Sequence, residues 1–171
     1  MSQEINKKFE EKLNELNSSL PQLKKGINCA ELTLTSVLDV LGIDNYLFHN
    51  LAVPLAAGFG GYKSKKGWQG ACGAVCGACA SIGVIMGGRE RMDNDTMLLA
   101  MSKAAKFAIE FEKQFGTIVC SELCGYDFSN PEIIAEYREN EIWSKTCYHF
   151  VIWAIDEIRR LASDELKEKW E

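Results

Sequence analysis

The stretch from Gly70 to Gly88, GACGAVCGACASIGVIMGG, constrains this chain more than any other. It carries no charge before Arg89 and sets glycines and alanines among three cysteines. Each glycine costs a helix about 0.8–1 kcal/mol relative to alanine, so such a helix exists only if its neighbours stabilise it. At 100° per residue, Cys72, Cys76 and Cys79 fall within about 60° of one another and would form a stripe of thiols. Gly70, Gly73, Gly77 and Ala80 share an adjoining face, where the missing side chains admit a neighbouring backbone. The run is long enough to raise a membrane span, but glycine and alanine dominate it, leucine is absent, and no second span follows.

The flanking sequence is far more polar, so the middle of the chain supplies the core and the ends wrap it. With 171 residues, 47% of them hydrophobic, the chain is long enough for one compact domain. A net charge of -5 argues against nucleic acid and anionic membranes as partners, since both reward clustered Lys and Arg. The charged start, SQEINKKFEEK, lacks the apolar core of a secretory signal, which places the protein in the cytoplasm with reduced thiols.

Periodicity makes the chain all-α, a compact helical bundle around the central Gly/Ala/Cys-rich helix; no segment alternates as a strand would. Residues 1–26 hold an amphipathic helix with the stripe Ile5, Phe9, Leu13 and Leu16, ending before Pro21 and packed on the cysteine-containing domain of residues 27–171. That stripe offers little burial, so removal of residues 1–21 is expected to leave a folded protein. Asn28 caps a helix that runs to about Leu41, with Cys29 at its first position and Glu31 at its third. Asp44 or Asn45 caps another that reaches about Ala57 past Pro54. The glycine-rich loop GFGGYKSKKG leads into the cysteine helix. Asp93 or Asn94 opens a long helix whose stripe Met97, Met101, Ala104, Ala108, Phe111 and Phe115 faces the core. A turn with Cys120 and Cys124 follows, Pro131 starts a short helix to about Arg138, and a final helix from about Ile142 turns Trp143, Cys147, Phe150, Val151, Ala154, Ile158 and Leu161 inward.

Seven cysteines are many for a reducing compartment and point to metal binding or thiol chemistry rather than a disulfide framework. Cys29, Cys72, Cys120 and Cys147 each fall near the N-terminus of a separate helix or turn, where free N–H groups and the helix dipole favour thiolate. Four thiolates converging from four elements would hold an iron-sulfur cluster, with zinc as the second choice. They are expected to share one pocket, Cys76 and Cys79 lining its inner continuation as further candidate metal ligands. For Cys76, Cys79 and Cys124 the reading as small buried apolar residues weighs about as much as metal binding. Cys72-x3-Cys76-x2-Cys79 has the spacing of radical enzymes that use S-adenosylmethionine, but those place it on a loop of a large βα barrel. Cys76-Gly77-Ala78-Cys79 lacks the histidine of a c-type haem site, so no haem is expected. His49 and His149 read as surface or satisfied histidines. No hydrolase triad, phosphate loop or carboxylate pair is present.

Asn28-Cys29-Ala30-Glu31, Gly70-Ala71-Cys72-Gly73-Ala74-Val75-Cys76-Gly77, Phe115-Gly116 leading to Cys120-x-Glu122-Leu123-x-Gly125, and Lys145-x-Cys147 occur in an order that resembles the C_GCAxxG_C_C family of redox-active proteins. The resemblance spans about Gly26 to Ile158. It makes Cys29, Cys72, Cys120 and Cys147 the family's cysteines, and Cys76, Cys79 and Cys124 additions. Members are similar to the helical portion of split-Soret cytochromes, which are dimeric, and are often encoded beside transporters. The resemblance therefore implies redox or metal chemistry, a redox partner protein or transporter component, and a homodimer. Two functions stay open: an electron-transfer protein holding a cluster or metal through four cysteines, and a thiol-disulfide or metal-trafficking protein whose cysteines cycle in pairs.

Overall fold

The structure, a computed structural model, describes residues 3–22, 28–44 and 46–171. Among these it is all-α: α1 (Gln3–Ser19), α2 (Cys29–Val40), α3 (Leu47–Ala52), a one-turn α4 (Ala57–Gly61), α5 (Gly73–Gly87), α6 (Asn94–Phe115), a one-turn α7 (Cys120–Cys124), α8 (Pro131–Glu139), α9 (Tyr148–Leu161) and α10 (Ser163–Trp170). The central position of the glycine-rich helix is as expected. α5 packs on α2, α6, α9 and α10, and its contact with α2 is the most extensive in the molecule.

That contact exists because α5 lacks side chains where α2 crosses it. A Cβ on Gly77 would lie 2.5 Å from the Ala30 carbonyl oxygen, and one on Gly73 would lie 2.4 Å from Cys29 Sγ. The helix begins at Gly73 rather than Gly70. Cys72 is its N-cap residue with φ -58° and ψ 136°, so the chain through Gly70–Cys72 is extended and Cys72 leaves the stripe that the spacing drew. An antiparallel bridge between Ala71 and Val119 takes up that extended stretch. At the other end of α5, Lys169 Nζ and Trp170 Nε1 on α10 donate to the Met86 and Ile85 carbonyls at 2.6 and 3.1 Å, filling positions that a helix terminus leaves unpartnered.

The second half of the core is aromatic. Phe111 and Phe115 on α6 pack edge-on against Phe150 and Trp153 of α9, with centroids 4.9–5.9 Å apart, and Phe107 meets Trp153 with its ring tilted at 5.8 Å. Here the expected stripe is correct only in part. Ala100, Phe107 and Phe111 are the buried positions, whereas Met97 and Met101 are 41% and 61% exposed. The apolar residues of α6 cover two faces, and sequence spacing could not say which one the protein keeps for its core.

The N-terminal helix is also more deeply built in than its weak stripe predicts. Ile5, Phe9, Leu16 and Leu20 are all buried in the main core, and Arg159 of α9 donates to Asn6 Oδ1 at 2.7 Å. The little burial expected of that stripe is therefore corrected: these side chains belong to the main core. Asn28 caps α2 as expected, accepting from the N–H groups of Ala30 and Glu31. Before α3 the N-cap position is Tyr46, without a side-chain bond, rather than Asp44; Asn45 lies outside the described residues. Asn130 caps α8 with Pro131 at its first position. The helix expected from about Ile142 starts as a π turn over Trp143–Cys147, which carries Cys147 to the start of α9, and a further helix, α10, follows it. No described helix is long and apolar enough to cross a membrane.

Candidate functional site

The cysteines gather where three irregular backbone features meet: the N-terminus of α2, the extended entry to α5, and the left-handed turn α4. The Ala71–Val119 bridge sets two of them. Cys72 N–H donates to Ile118 O at 2.7 Å and Cys120 N–H to Gly70 O at 3.1 Å, so both residues are fixed by backbone rather than by their own side chains. The turn α4 lies across this bridge with Ala57, Gly58, Phe59 and Gly60 all at positive φ, between 52° and 69°. A non-glycine residue held there costs about 1–3 kcal/mol, which the surrounding contacts must offset. Gly58 and Gly70 make the contact: a Cβ on Gly70 would lie 2.1 Å from the Gly58 carbonyl oxygen, and one on Gly58 would meet Gly70 O and Cys120 Cβ. A small cleft of about 10 Å³ opens between α4 and α7, lined among others by Gly58, Gly70, Cys120 and Asp127.

Within this frame the thiols sit in pairs. Cys29 and Cys72 are in hydrogen-bonding contact, and that contact pushes Cys29 down to about 7. The N–H groups of Ala57, Ala30 and Cys29 itself favour its thiolate as well, against the cost of burial. Cys72 is pushed well up by the same contact, with burial second. Cys120 and Cys124, four residues apart on α7, form a second pair: Cys124 is lowered by its contact with Cys120, and Cys120 is raised by it. Cys147 is different. Burial pushes it up to about 12, opposed by the Tyr137 hydroxyl 3.2 Å from its sulfur. Tyr137 is itself raised, mainly by burial, and packs edge-on against Tyr126 and Phe128.

These groups form one electrostatic neighbourhood. The charge of Cys29 is felt at Cys72, Cys76, Cys120, Cys124 and Cys147. Cys29, Cys72, Cys120 and Cys147 come from four elements: the start of α2, the entry to α5, the start of α7 and the turn before α9. Cys76 and Cys79 lie further along α5, both part-exposed and both raised, Cys76 to about 12 and chiefly by burial. Cysteine thiolates suit iron-sulfur clusters and zinc, yet among the described residues no three cysteine, histidine or carboxylate side chains converge on a point that could hold an ion. All seven cysteines are free thiols.

Three participants escaped the sequence reading. Cys124 pairs with Cys120, a relation its four-residue spacing could have shown. The Ala57 N–H on Cys29 depends on the left-handed turn, of which Gly58, Gly60 and Gly61 were the only trace. Nothing local marks Tyr137. His49 is satisfied, as expected, its Nδ1 lying 2.9 Å from Glu31 Oε1.

A scan of family models matches residues 27–161 to C_GCAxxG_C_C, “Putative redox-active protein”. No curated protein and no solved structure matches the chain.

Proposed function

The chain belongs to the C_GCAxxG_C_C family, and from that premise we propose that it is a thiol-disulfide redox protein whose exchanging pair is Cys29 and Cys72. The observation that carries this reading is that Cys29 Sγ is seated against Gly73, the residue after Cys72, where the two thiols shift each other in opposite directions, Cys29 down and Cys72 up. A thiolate with a pKa near the ambient pH is the most effective attacking thiol. Cys29, half-buried and at the first position of α2, attacks one sulfur of a disulfide substrate and forms a mixed disulfide. The departing substrate thiolate takes up a proton. Cys72 then loses its proton and attacks Cys29 Sγ; the Cys29–Cys72 disulfide forms as the second substrate thiol leaves. Two electrons pass from the protein to the substrate.

The test is anaerobic purification with iron, sulfide and zinc analysis and a visible spectrum, followed by titration with 2-hydroxyethyl disulfide and peptide mapping. A Cys29–Cys72 disulfide in metal-free protein supports the proposal. Stoichiometric iron and sulfide lost on Cys29→Ala would overturn it in favour of the cluster.

A second copy of the chain is the partner best supported by the surface. Leu98, Met101 and Ile109 are 63%, 61% and 51% exposed and lie along one face of α6 with Ala105. Two antiparallel copies of α6 about a twofold axis set Leu98 against Ile109 and Met101 against Ala105, and bring Asp95 of each beside Lys113 of the other. Light scattering is expected to give a dimer that Leu98→Asp converts to a monomer.

A further inference from the structure

Cys76 and Cys79 take no part in the exchange just described, although they stand beside it. On a helix, Cα–Cβ bonds tilt toward the N-terminus and residues three apart lie one above the other. Cys29 Sγ is seated over Gly73, where a Cβ would meet it at 2.4 Å. Cys76 is three residues further along α5, so its side chain leans back toward the place Cys29 occupies. Cys79 leans back over Cys76 in the same way. The three sulfurs form a row that starts in the pocket and drifts by about 60° per step toward the outside of α5. Cys72, at the entry to α5, is 4% exposed, while Cys76 and Cys79 are both part-exposed. Gly83, one turn beyond Cys79 on that side, has open space where its Cβ would be. Cα atoms three apart on a helix are about 5 Å distant, inside the roughly 4.4–6.8 Å range of disulfides.

We propose that Cys76 and Cys79 are a second dithiol that takes over the disulfide from Cys29–Cys72 and carries it from the pocket to the outer face of α5. This rests on the dithiol reading above and adds a route out of it. The steps conserve electrons within the protein. Cys76, as thiolate, attacks Cys29 Sγ in the Cys29–Cys72 disulfide; a Cys29–Cys76 bond forms, Cys72 leaves, and it takes the proton that Cys76 gave up. Cys79, losing its proton in turn, attacks Cys76 Sγ; the Cys76–Cys79 bond forms and Cys29 leaves as thiolate. Cys29 is a good leaving group because its thiolate is the stabilised one. The original oxidant is the small disulfide, and the pocket pair returns to its reduced state.

The experiment oxidises the reduced full-length protein with a limiting amount of 2-hydroxyethyl disulfide, quenches at intervals with acid, and identifies free and bridged cysteines by differential alkylation and mass spectrometry. In the native chain a Cys29–Cys72 bridge is expected first and a Cys76–Cys79 bridge later, with Cys29 free again. Cys79→Ser should accumulate a Cys29–Cys76 bridge, and Cys76→Ser should hold the disulfide at Cys29–Cys72. Cys79→Ala serves as the check that serine has not disturbed α5, with thermal unfolding measured for each. Formation of Cys29–Cys72 with Cys76 and Cys79 still free throughout would overturn this proposal and leave the dithiol reading standing. Absence of any Cys29–Cys72 bridge would overturn both. Equally fast formation of Cys76–Cys79 in Cys29→Ala would show an independent pair and overturn the relay.

Discussion

The thiol pocket and the aromatic core are held together in opposite ways. Around Phe107, Phe111, Phe115, Phe150 and Trp153 the helices are kept apart by large rings, and stability comes from buried apolar area and edge-on aromatic contacts. At the N-terminus of α5 the side chains are nearly absent, and Gly70, Gly73 and Gly77 let backbone and sulfur of other elements come where a methyl group would not fit. One region buries surface. The other brings N–H groups and thiols close enough to act on one another, while contributing little apolar area of its own. The strained turn α4 can persist only because the remainder of the fold supports it.

The comparison predicts that damage to the two regions will read differently. The largest effect is expected from removing residues 1–21, which takes Phe9, Leu16 and Leu20 out of the main core; cooperative thermal unfolding should be lost. A truncated protein that still melts sharply would show the core to be self-sufficient without α1. Phe111→Ala should cost about 3–5 kcal/mol in denaturant unfolding, with the neutral-pH reactivity of Cys29 unchanged below the transition. Gly77→Ala should cost about 1–3 kcal/mol by forcing α2 away from α5 at the Ala30 carbonyl.

Smaller in energy but confined to the pocket is Cys72→Ala. Alkylation of Cys29 should rise with pH about a midpoint near 7 in the native protein, since the thiolate is the reacting form. Without Cys72 that midpoint should move up toward the ordinary thiol value of about 8.5, and the rate at pH 7 should drop by roughly tenfold. Cys76 and Cys147, both near 12, should stay slow in either protein. An unmoved Cys29 midpoint would mean that the N–H groups of Ala57 and Ala30 suffice. The smallest effect is at Gly83, where nothing lies within 4 Å of the place a side-chain methyl group would take; Gly83→Ala should stabilise the protein by about 0.8–1 kcal/mol. The opposite signs at Gly77 and Gly83, on one helix, separate close approach from mere helix propensity.

Much of this was determined by sequence alone. The caps at Asn28 and Asp93 act through residues two or three positions away, so local spacing reveals them, and Pro131 marks the start of α8. The all-α class and the central, backbone-close role of the glycine helix follow from periodicity and from missing side chains, both written directly in the chain. The placement of Cys29, Cys72, Cys120 and Cys147 at helix or turn entries was legible as well, because caps and turn residues mark those entries locally. Tertiary structure alone decided the rest. α6 is apolar on two faces, and only packing against α9 selected Phe107 and Phe111 for the core over Met97 and Met101. Cys72 left the helix because the Ala71–Val119 bridge claimed its backbone. The influence of Cys72 and of the Ala57 N–H on the acidity of Cys29 joins residues far apart in the chain through close helix packing and a left-handed turn. A thiol's acidity depends on the charges and donors within a few ångströms of it, and which groups those are is set by the fold.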